Sequence, residues 1–234
     1  MEGVLEAALR DAAVLAEGGA SGVIVENIGD APFSSDQVEP HVVAMLAVVA
    51  KAVVQAHGDR MEVGINALRN DAKSALAAAA ASGASFIRVN VHTGVMATDQ
   101  GLIQGRARET LLYRKQLGVD LGIAADILVK HATPVGDVDP IQVAQDTFHR
   151  GGADALIVTG SGTGKSVNVD ELQKLRESCP GIPFWIGSGL NADNAADLVG
   201  LCDGAIVGTY LHRDSDLLAP LELERVREIA ALLD

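Results

Sequence analysis

Cysteine is scarce in this sequence. The 234 residues include only Cys179 and Cys202, which form neither a C-x-x-C pair nor a Cys/His ligand pattern. A zinc knuckle and a disulfide framework both need such spacings, so the sequence predicts neither of them and no metal centre. Two thiols without a framework are typical of a protein in a reducing compartment.

Positive charge is also in short supply. Lys and Arg total 18 against 31 Asp and Glu, which gives a formal net charge of −13 at pH 7. Because an acidic chain repels phosphate backbones, the composition excludes general nucleic-acid binding. A small phosphorylated ligand can still bind where backbone amides and a few basic side chains act locally.

Long hydrophobic runs are missing as well. The longest strongly apolar run covers residues 42–50, far short of the roughly 20 residues that cross a bilayer. The first residues include acidic side chains and no basic segment, unlike a signal peptide. We therefore expect no membrane span and a cytoplasmic protein.

The chain does contain a regular alternation of short β-branched runs and helix-like segments. The predicted strands are residues 21–27, 61–68, 85–92, 121–131, 154–160, 183–190 and 203–211. Apolar strands separated by helices are typical of a parallel sheet covered on both faces. With 48% hydrophobic residues, residues 1–234 can bury one large core and are predicted to form a single domain.

The alternation favours a TIM-like (β/α)8 barrel over a doubly wound sheet, because no glycine fingerprint follows the first predicted strand. The chain starts in what should be the first helix, so the first strand of the barrel is apparently missing from this sequence. We therefore predict seven parallel strands in barrel order, with a gap where the first strand belongs. An unpaired strand edge can recruit another chain, and we expect homo-oligomers.

Polar residues cluster at the predicted carboxyl ends of the strands, where barrel active sites lie. The candidate catalytic residues are Glu26, Asn66, Arg88, Asn90, Asp99, Asp126 and Lys130. Period-two alternation places Arg88, Asn90 and His92 on one face of their strand. It likewise places Asp126 and Lys130 on one face of the next. Arg88 and Asp126 form either a functional pair or a structural ion-pair layer, and Glu26 and Asp99 alternatively occupy ordinary turns.

Lys130 has two possible roles at such a barrel mouth. Burial would favour the neutral amine, which is a Schiff-base nucleophile, whereas nearby carboxylates would keep it charged as an electrostatic clamp. The acidic side chains at the strand ends outnumber the basic ones, which favours the clamp.

Residues 158–167, VTGSGTGKSV, nearly match the nucleotide-binding pattern G-x-x-x-x-G-K-[ST]. Thr159 stands in place of the first glycine, and the next helix is predicted to start only near Asn168, so we do not interpret the stretch as a P-loop. The glycine-rich ends of the last three strands favour a barrel-type phosphate site instead, with Lys165 as an added clamp and Asn191 capping a helix that begins at residue 192. The predicted phosphate-binding residues are Gly160, Ser161, Gly162, Thr163, Gly164, Ser188, Gly189, Gly208 and Thr209.

Seven segments of this chain resemble the BtpA family, which includes the SgcQ-like proteins. They are residues 23–33, 64–72, 86–107, 125–132, 154–164, 186–195 and 203–211, with "LRND" and "TDQGLIQG" the most specific blocks. The resemblance implies a TIM-like barrel, a role in photosystem I accumulation in cyanobacteria and an association with carbohydrate metabolism, but no established reaction. Family members usually open with a first strand and an H-x-x-P-L-P-G-like loop, which this sequence lacks.

Three functions remain open. The leading interpretation is an enzyme that acts on a small phosphorylated metabolite by sugar-phosphate lyase or isomerase chemistry and requires no cofactor. The second is a non-catalytic photosystem I assembly or stability factor. The third is an FMN-binding oxidoreductase, since the same loops hold flavin phosphates in other barrels, although an aromatic content of 3% offers no evident platform for the flavin ring.

Overall fold

The computed structural model describes residues 2–129, 131–160 and 166–233. Its strands, in chain order, are β1 (Gly22–Glu26), β2 (Glu62–Asn66), β3 (Phe86–Val89), β4 (Val95–Thr98), β5 (Gly101–Gln104), β6 (Gly122–Ile127), β7 (Ala132–Pro134), β8 (Ala155–Val158), β9 (Phe184–Ile186) and β10 (Gly204–Ala205). Its α-helices are α1 (Glu2–Glu17), α2 (Pro40–His57), α3 (Ala72–Ser82), α4 (Ala107–Leu117), α5 (Pro140–Gln145), α6 (Val169–Ser178), α7 (Ala195–Leu198) and α8 (Leu223–Leu233). A π-helical turn over Asp146–Arg150 continues α5.

Seven of these strands form one parallel sheet in the order β1-β2-β3-β6-β8-β9-β10. This order follows the chain, as a TIM-type barrel requires, and the predicted fold class is confirmed. Within the described ranges the two edge strands, β1 and β10, do not pair with each other, and both are half-buried while the strands between them are largely buried.

The outer ring of helices continues past this gap in the sheet. Helices α1 and α8 contact each other, and Arg227 forms an ion pair with Glu17 at 3.2 Å. Gly18 lies so close to Val226 that a β-carbon at residue 18 would overlap that side chain. The two ends of the described chain are therefore neighbours on the barrel surface.

The interior of the barrel has an apolar floor. Ala124, Ala155 and Ile157 form a buried cluster against Phe86 and Trp185, whose rings meet edge to face at a centroid distance of 5.7 Å. Glycine on neighbouring strands makes room for these rings, because a β-carbon at residue 64 would overlap the ring of the phenylalanine and residue 204 lies against the tryptophan. Bulky side chains thus fill the lower layer, and the layer above is built from different residues.

A second, three-stranded antiparallel sheet in the order β5-β4-β7 was not foreseen from the sequence. It joins the loop after β3 to the loop after β6 and buries Val91, Met96, Ile103 and Val129 in a small cluster of its own. Residues 101–104 form β5 of this sheet, and α4 begins at Ala107. The sheet is built at the carboxyl ends of the barrel strands.

Helix α2 alone, within the part of the chain that the structure describes, is long and apolar enough to cross a membrane by length and composition. Its 18 residues have a mean hydropathy of 1.4, and 28% of them are buried. The helix packs against β1, β2 and α3, and a core helix meets the same criterion. By itself, the finding is weak evidence for a span.

Candidate active site

A buried ion pair stands directly above the apolar floor. Arg88 on β3 donates from Nε and Nη2 to the two carboxylate oxygens of Asp126 on β6, each at 2.9 Å, and both residues are at most 6% exposed. Arg88 lies two residues beyond Phe86 on the same face of its strand, so it points into the barrel. Burial acts to lower the pKa of Arg88, but the Asp126 carboxylate outweighs it and raises that pKa above its ordinary value.

Asn90 completes this group, since its Nδ2 donates to Asp126 Oδ2 at 3.1 Å. On the neighbouring strands, Glu26 and Asn66 are partners in the β1–β2 register, and Asn66 Nδ2 donates to Glu26 Oε2 at 3.3 Å. Asn66 is buried and Glu26 is half-buried. Five of the predicted catalytic residues therefore come from β1, β2, β3 and β6 and lie at the carboxyl ends of these strands.

Arg69 joins this cluster, although no sequence pattern singles it out. The residue is 7% exposed, and burial lowers its pKa below the ordinary value. The charged groups that act on this pKa are, in decreasing order, Asp126, Asp99, Arg88 and Glu26; the three carboxylates raise it and the guanidinium lowers it. Asp99 thereby belongs to the surroundings of the cluster, and it lies in the turn between β4 and β5.

Side-chain amides fix the backbone on both sides of Arg69. Asn27 Oδ1 accepts from the Leu68 amide at 2.8 Å, and Asn27 Nδ2 donates to the Leu68 carbonyl at 3.4 Å. Asn70 does the same for Val91, accepting from its amide at 2.7 Å and donating to its carbonyl at 2.9 Å. The loops after β1, β2 and β3 are thus held together around one arginine.

The opposite side of the mouth, at the ends of β8, β9 and β10, consists mainly of glycine, hydroxyl and amide residues wherever the chain there is described, with Asp193 exposed in the loop after β9. Asn194 Nδ2 ties two of these loops together by donating to Ser166 Oγ at 2.6 Å and to the Gly189 carbonyl at 2.8 Å. Gly189 has a φ of +79°, which a residue with a side chain adopts only under strain. Thr209 opens a short 3-10 turn that follows Gly208.

Several predicted residues of the phosphate site, together with two lysines, lie outside the described residues: Ser161, Gly162, Thr163, Gly164, Lys165 and Lys130. Helix α6, which follows this segment, begins at Val169, in agreement with the predicted start near Asn168. The side chain of Asn168 caps it by accepting hydrogen bonds from the amides of residues 170 and 171. Helix α7 begins at Ala195 rather than at residue 192, and Asn191 accepts hydrogen bonds from the amides of residues 193 and 194 in the turn before it.

Each side of the mouth has at least one buried polar atom that has no hydrogen-bond partner among the described residues. Asn90 Oδ1 is such an atom on the charged side, and Ser188 Oγ is another on the glycine-rich side. Leaving a buried polar group unsatisfied costs about 1–3 kcal/mol, so each calls for an explanation. Both atoms lie just beyond the carboxyl ends of barrel strands.

One expectation about strand alternation is wrong. Strand β3 ends at Val89, and the buried His92 turns away from the cluster to donate from Nε2 to the Gly151 carbonyl at 2.9 Å. Burial lowers the pKa of His92, and the bond to Gly151 opposes this. Strand β6 ends at Ile127, and Leu128 has a φ of +54°. Lys130, which was expected on the same strand face as Asp126, lies outside the described residues. No group of three or more His, Cys, Asp and Glu side chains in the described ranges is arranged to hold a metal ion.

A parallel sheet of seven strands, curled into a barrel with polar residues at the carboxyl ends, defines a TIM-barrel-type protein. The chain belongs to the BtpA family, which it matches over residues 1–234. It is 44% identical over 229 residues to the photosystem I biogenesis protein BtpA of Synechocystis sp., an alignment that covers 95% of this chain and 77% of that protein.

Solved structures with a similar fold are only distantly related in sequence. N-(5'-phosphoribosyl)anthranilate isomerase from Pyrococcus furiosus superposes with a TM-score of 0.62 at 13% identity, covering 96% of this chain and 93% of that one. Orotidine 5'-phosphate decarboxylase from Pyrococcus horikoshii superposes with a TM-score of 0.58 at 14% identity, covering 98% and 96% of the two chains. At such identities the likeness establishes the fold alone.

Proposed function

We propose that this protein is an enzyme that acts on a small phosphorylated metabolite by sugar-phosphate lyase or isomerase chemistry. The observation that carries the proposal is the division of the barrel mouth into two sides. Strands β1, β2, β3 and β6 supply charged and amide side chains, whereas β8, β9 and β10 supply glycine-rich loops. Each side has a buried polar atom without a partner in the described ranges, and a bound molecule spanning both sides would satisfy these atoms.

The charged side has the groups that proton transfer next to a carbonyl requires. Glu26 is the general base in this proposal, because Asp126 is already occupied by Arg88 and Asn90. The arginines stabilise the enolate oxygen that forms, and the amides of Asn66 and Asn90 bind substrate hydroxyls. Lys130 serves as an electrostatic clamp, with Schiff-base formation as the alternative.

The glycine-rich side binds the phosphate group in this proposal. Backbone amides of Gly160, Gly189, Gly208 and Thr209 and the hydroxyl of Ser188 are the donors, with residues 161–164 nearby in sequence. Backbone amides bind phosphate without a surplus of positive side chains, which suits a chain of net charge −13. The two similar structures are of proteins whose names refer to phosphoribosyl and 5'-phosphate compounds. They support this assignment only by analogy, because they share the fold.

Binding and chemistry are tested separately. Phosphorylated sugars such as ribose 5-phosphate and fructose 6-phosphate should raise the melting temperature, whereas the unphosphorylated sugars should not. In D2O, proton NMR should then show deuterium entering the carbon next to the carbonyl of a turned-over sugar phosphate. Glu26→Gln should slow this exchange by about a hundredfold or more.

The matched control for this variant is Glu62→Gln, because Glu62 is exposed at the amino end of β2, away from the mouth. It should exchange deuterium at the wild-type rate. The proposal fails if no phosphorylated metabolite stabilises the protein and native mass spectrometry of the purified protein finds none bound.

A non-catalytic role in photosystem I biogenesis is the second candidate, favoured by the name of the Synechocystis relative. Complementation of a strain lacking that relative separates the two, provided this chain substitutes for it. If the protein acts without catalysis, the Glu26→Gln variant should complement as well as wild type does. If it acts as an enzyme, the variant should fail to complement.

A further inference from the structure

An open groove of about 540 Å³ runs along the outside of the barrel between α2 and α3. Its walls are apolar and mostly small, with Val43, Ala44 and Ala47 from one helix and Ala77 and Ala81 from the other. The polar lining residues lie toward one end, around the start of α3. The groove is on the opposite side of these helices from the barrel core.

Helix α2 is apolar on its outward face as well as its inward one. Val42, Leu46, Val49, Ala50 and Val53 are its buried residues and pack on the barrel. On the outside, Val48 is 45% exposed and Ala44 is exposed. A helix that is hydrophobic on both faces is normally covered on both, and the described chain covers only one.

Opposite charges flank the apolar stretch. Glu39 immediately precedes the helix, Lys51 lies on its outward face, and both are exposed. Neither forms an ion pair with any described residue. They lie at the two ends of the uncharged stretch, about 18 Å apart along the helix axis at 1.5 Å per residue.

We call the groove together with the exposed residues Glu39, Ala44, Val48 and Lys51 the α2–α3 face. We propose that this face packs against the same face of a second copy of this chain, about a two-fold axis that crosses the middle of α2 near Met45. Such an axis makes the two α2 helices antiparallel, and it places Glu39 of each copy opposite Lys51 of the other. The exposed valine and alanine side chains of one copy then fill the alanine-lined groove of the other. This inference does not depend on the proposed enzymatic function.

The charge pattern is what selects a second copy as the occupant. Two chains of net charge −13 repel each other, so a stable contact between them must be uncharged in the centre or carry complementary charges. The α2–α3 face provides both, because its apolar centre is self-complementary and its charged ends exchange under a two-fold axis. A strand added to the open edge of β1 would use a different surface, which makes the two arrangements distinguishable.

Light scattering on a size-exclusion column and sedimentation equilibrium test the interface. The wild-type chain should be a dimer, and Ala44→Asp should be a folded monomer because it places two acidic groups at the centre of the contact. Leu112→Asp is the matched control: Leu112 is 50% exposed on α4, outside the proposed face, and the variant should remain dimeric.

Charge exchange tests the two-fold axis itself. Glu39→Lys and Lys51→Glu should each raise the dimer dissociation constant by about tenfold or more, because each creates two like-charge contacts. The double variant Glu39→Lys/Lys51→Glu should restore the wild-type constant. A wild-type monomer at every concentration tested would overturn the proposal. So would a dimer that Ala44→Asp leaves intact, or single charge variants that bind as tightly as wild type.

Discussion

Asp126→Asn is the substitution with the most clearly defined consequence. It keeps the shape of the side chain but removes the charge that compensates Arg88, which is buried to the same extent. Breaking a buried pair by neutralising one partner costs about 3–5 kcal/mol, because the remaining charge stays desolvated. We expect a loss of this size in the free energy of unfolding.

Urea unfolding followed by circular dichroism measures this loss, with the slope of the transition checked for two-state behaviour. The matched control is Glu224→Gln, which removes a carboxylate that pairs with Arg227 at 2.8 Å but is 83% exposed. An exposed pair contributes at most about 1 kcal/mol. If both substitutions cost the same small amount, the Arg88–Asp126 pair is not desolvated and the reasoning is refuted.

Replacing both partners separates stability from function. Arg88→Met with Asp126→Leu removes both charges together, and such replacements of buried pairs are often neutral or stabilising. We expect the double variant to recover most of the stability lost in Asp126→Asn. The recovery should be incomplete by about 1–3 kcal/mol, because the side-chain amide of Asn90 loses its acceptor. If the pair serves a ligand, this stable variant should lose the binding of phosphorylated sugars; unchanged binding would assign the pair to structure alone.

Three further predictions concern the pH dependence of stability, the barrel interior and the glycine-rich side of the mouth. Because the pKa of His92 is lowered by burial, its contribution to stability is fully present above about pH 6.5 and is lost as the pH falls through the lowered value. The fall in unfolding free energy between about pH 7.5 and pH 5 should thus be smaller in His92→Gln and unchanged in the exposed control His41→Gln. Gly64→Ala should lower the free energy of unfolding by about 1–3 kcal/mol, because the new β-carbon overlaps the ring of Phe86. It should also alter tryptophan fluorescence, since Phe86 packs against Trp185. In the control Gly29→Ala the new β-carbon meets no neighbouring atom, so stability and fluorescence should stay as in wild type. Ser188→Ala should raise the free energy of unfolding by up to about 1–3 kcal/mol, because it removes a buried hydroxyl that has no partner among the described residues. It should also weaken phosphate-ligand binding about tenfold, the worth of one hydrogen bond. A stability loss without a binding loss would contradict the proposed role.

The seven barrel strands were predictable because each contains a short apolar run that can be recognised in the sequence without knowledge of its neighbours. The small antiparallel sheet was not, because β4, β5 and β7 (VMAT, GLIQ and ATP) contain small or polar residues and no β-branched apolar run that would indicate a strand. The ends of β3 and β6 were overestimated for a different reason. Periodicity continues in the sequence beyond Val89 and Ile127, whereas the backbone leaves the sheet to join the antiparallel one.

Arg69 shows why part of the candidate site could not be read from the sequence. Its position is set by Asn27 and Asn70, which bind backbone groups 41 and 21 residues away in the chain. Such side-chain-to-backbone bonds have no period and no fixed spacing, so only the folded structure shows which loop they hold. Arg88 and Asn90 could be predicted, by contrast, because Arg88 lies within β3 on the same face as Phe86 and Asn90 follows two residues later, directly after the strand.

The polar layer of the barrel is hard to explain by stability alone. Two arginines, Arg69 and Arg88, are buried at one end of a barrel whose floor is filled by alanine, isoleucine and aromatic rings. Apolar side chains of similar volume would fill that space without desolvating any charge, and they are often at least as stable. The charges nevertheless compensate one another, since the carboxylates of Asp126, Asp99 and Glu26 all act on Arg69. We therefore infer that a polar ligand, rather than the needs of the fold, accounts for this costly but balanced set of charges, which faces glycine-rich loops at the carboxyl ends of the barrel strands.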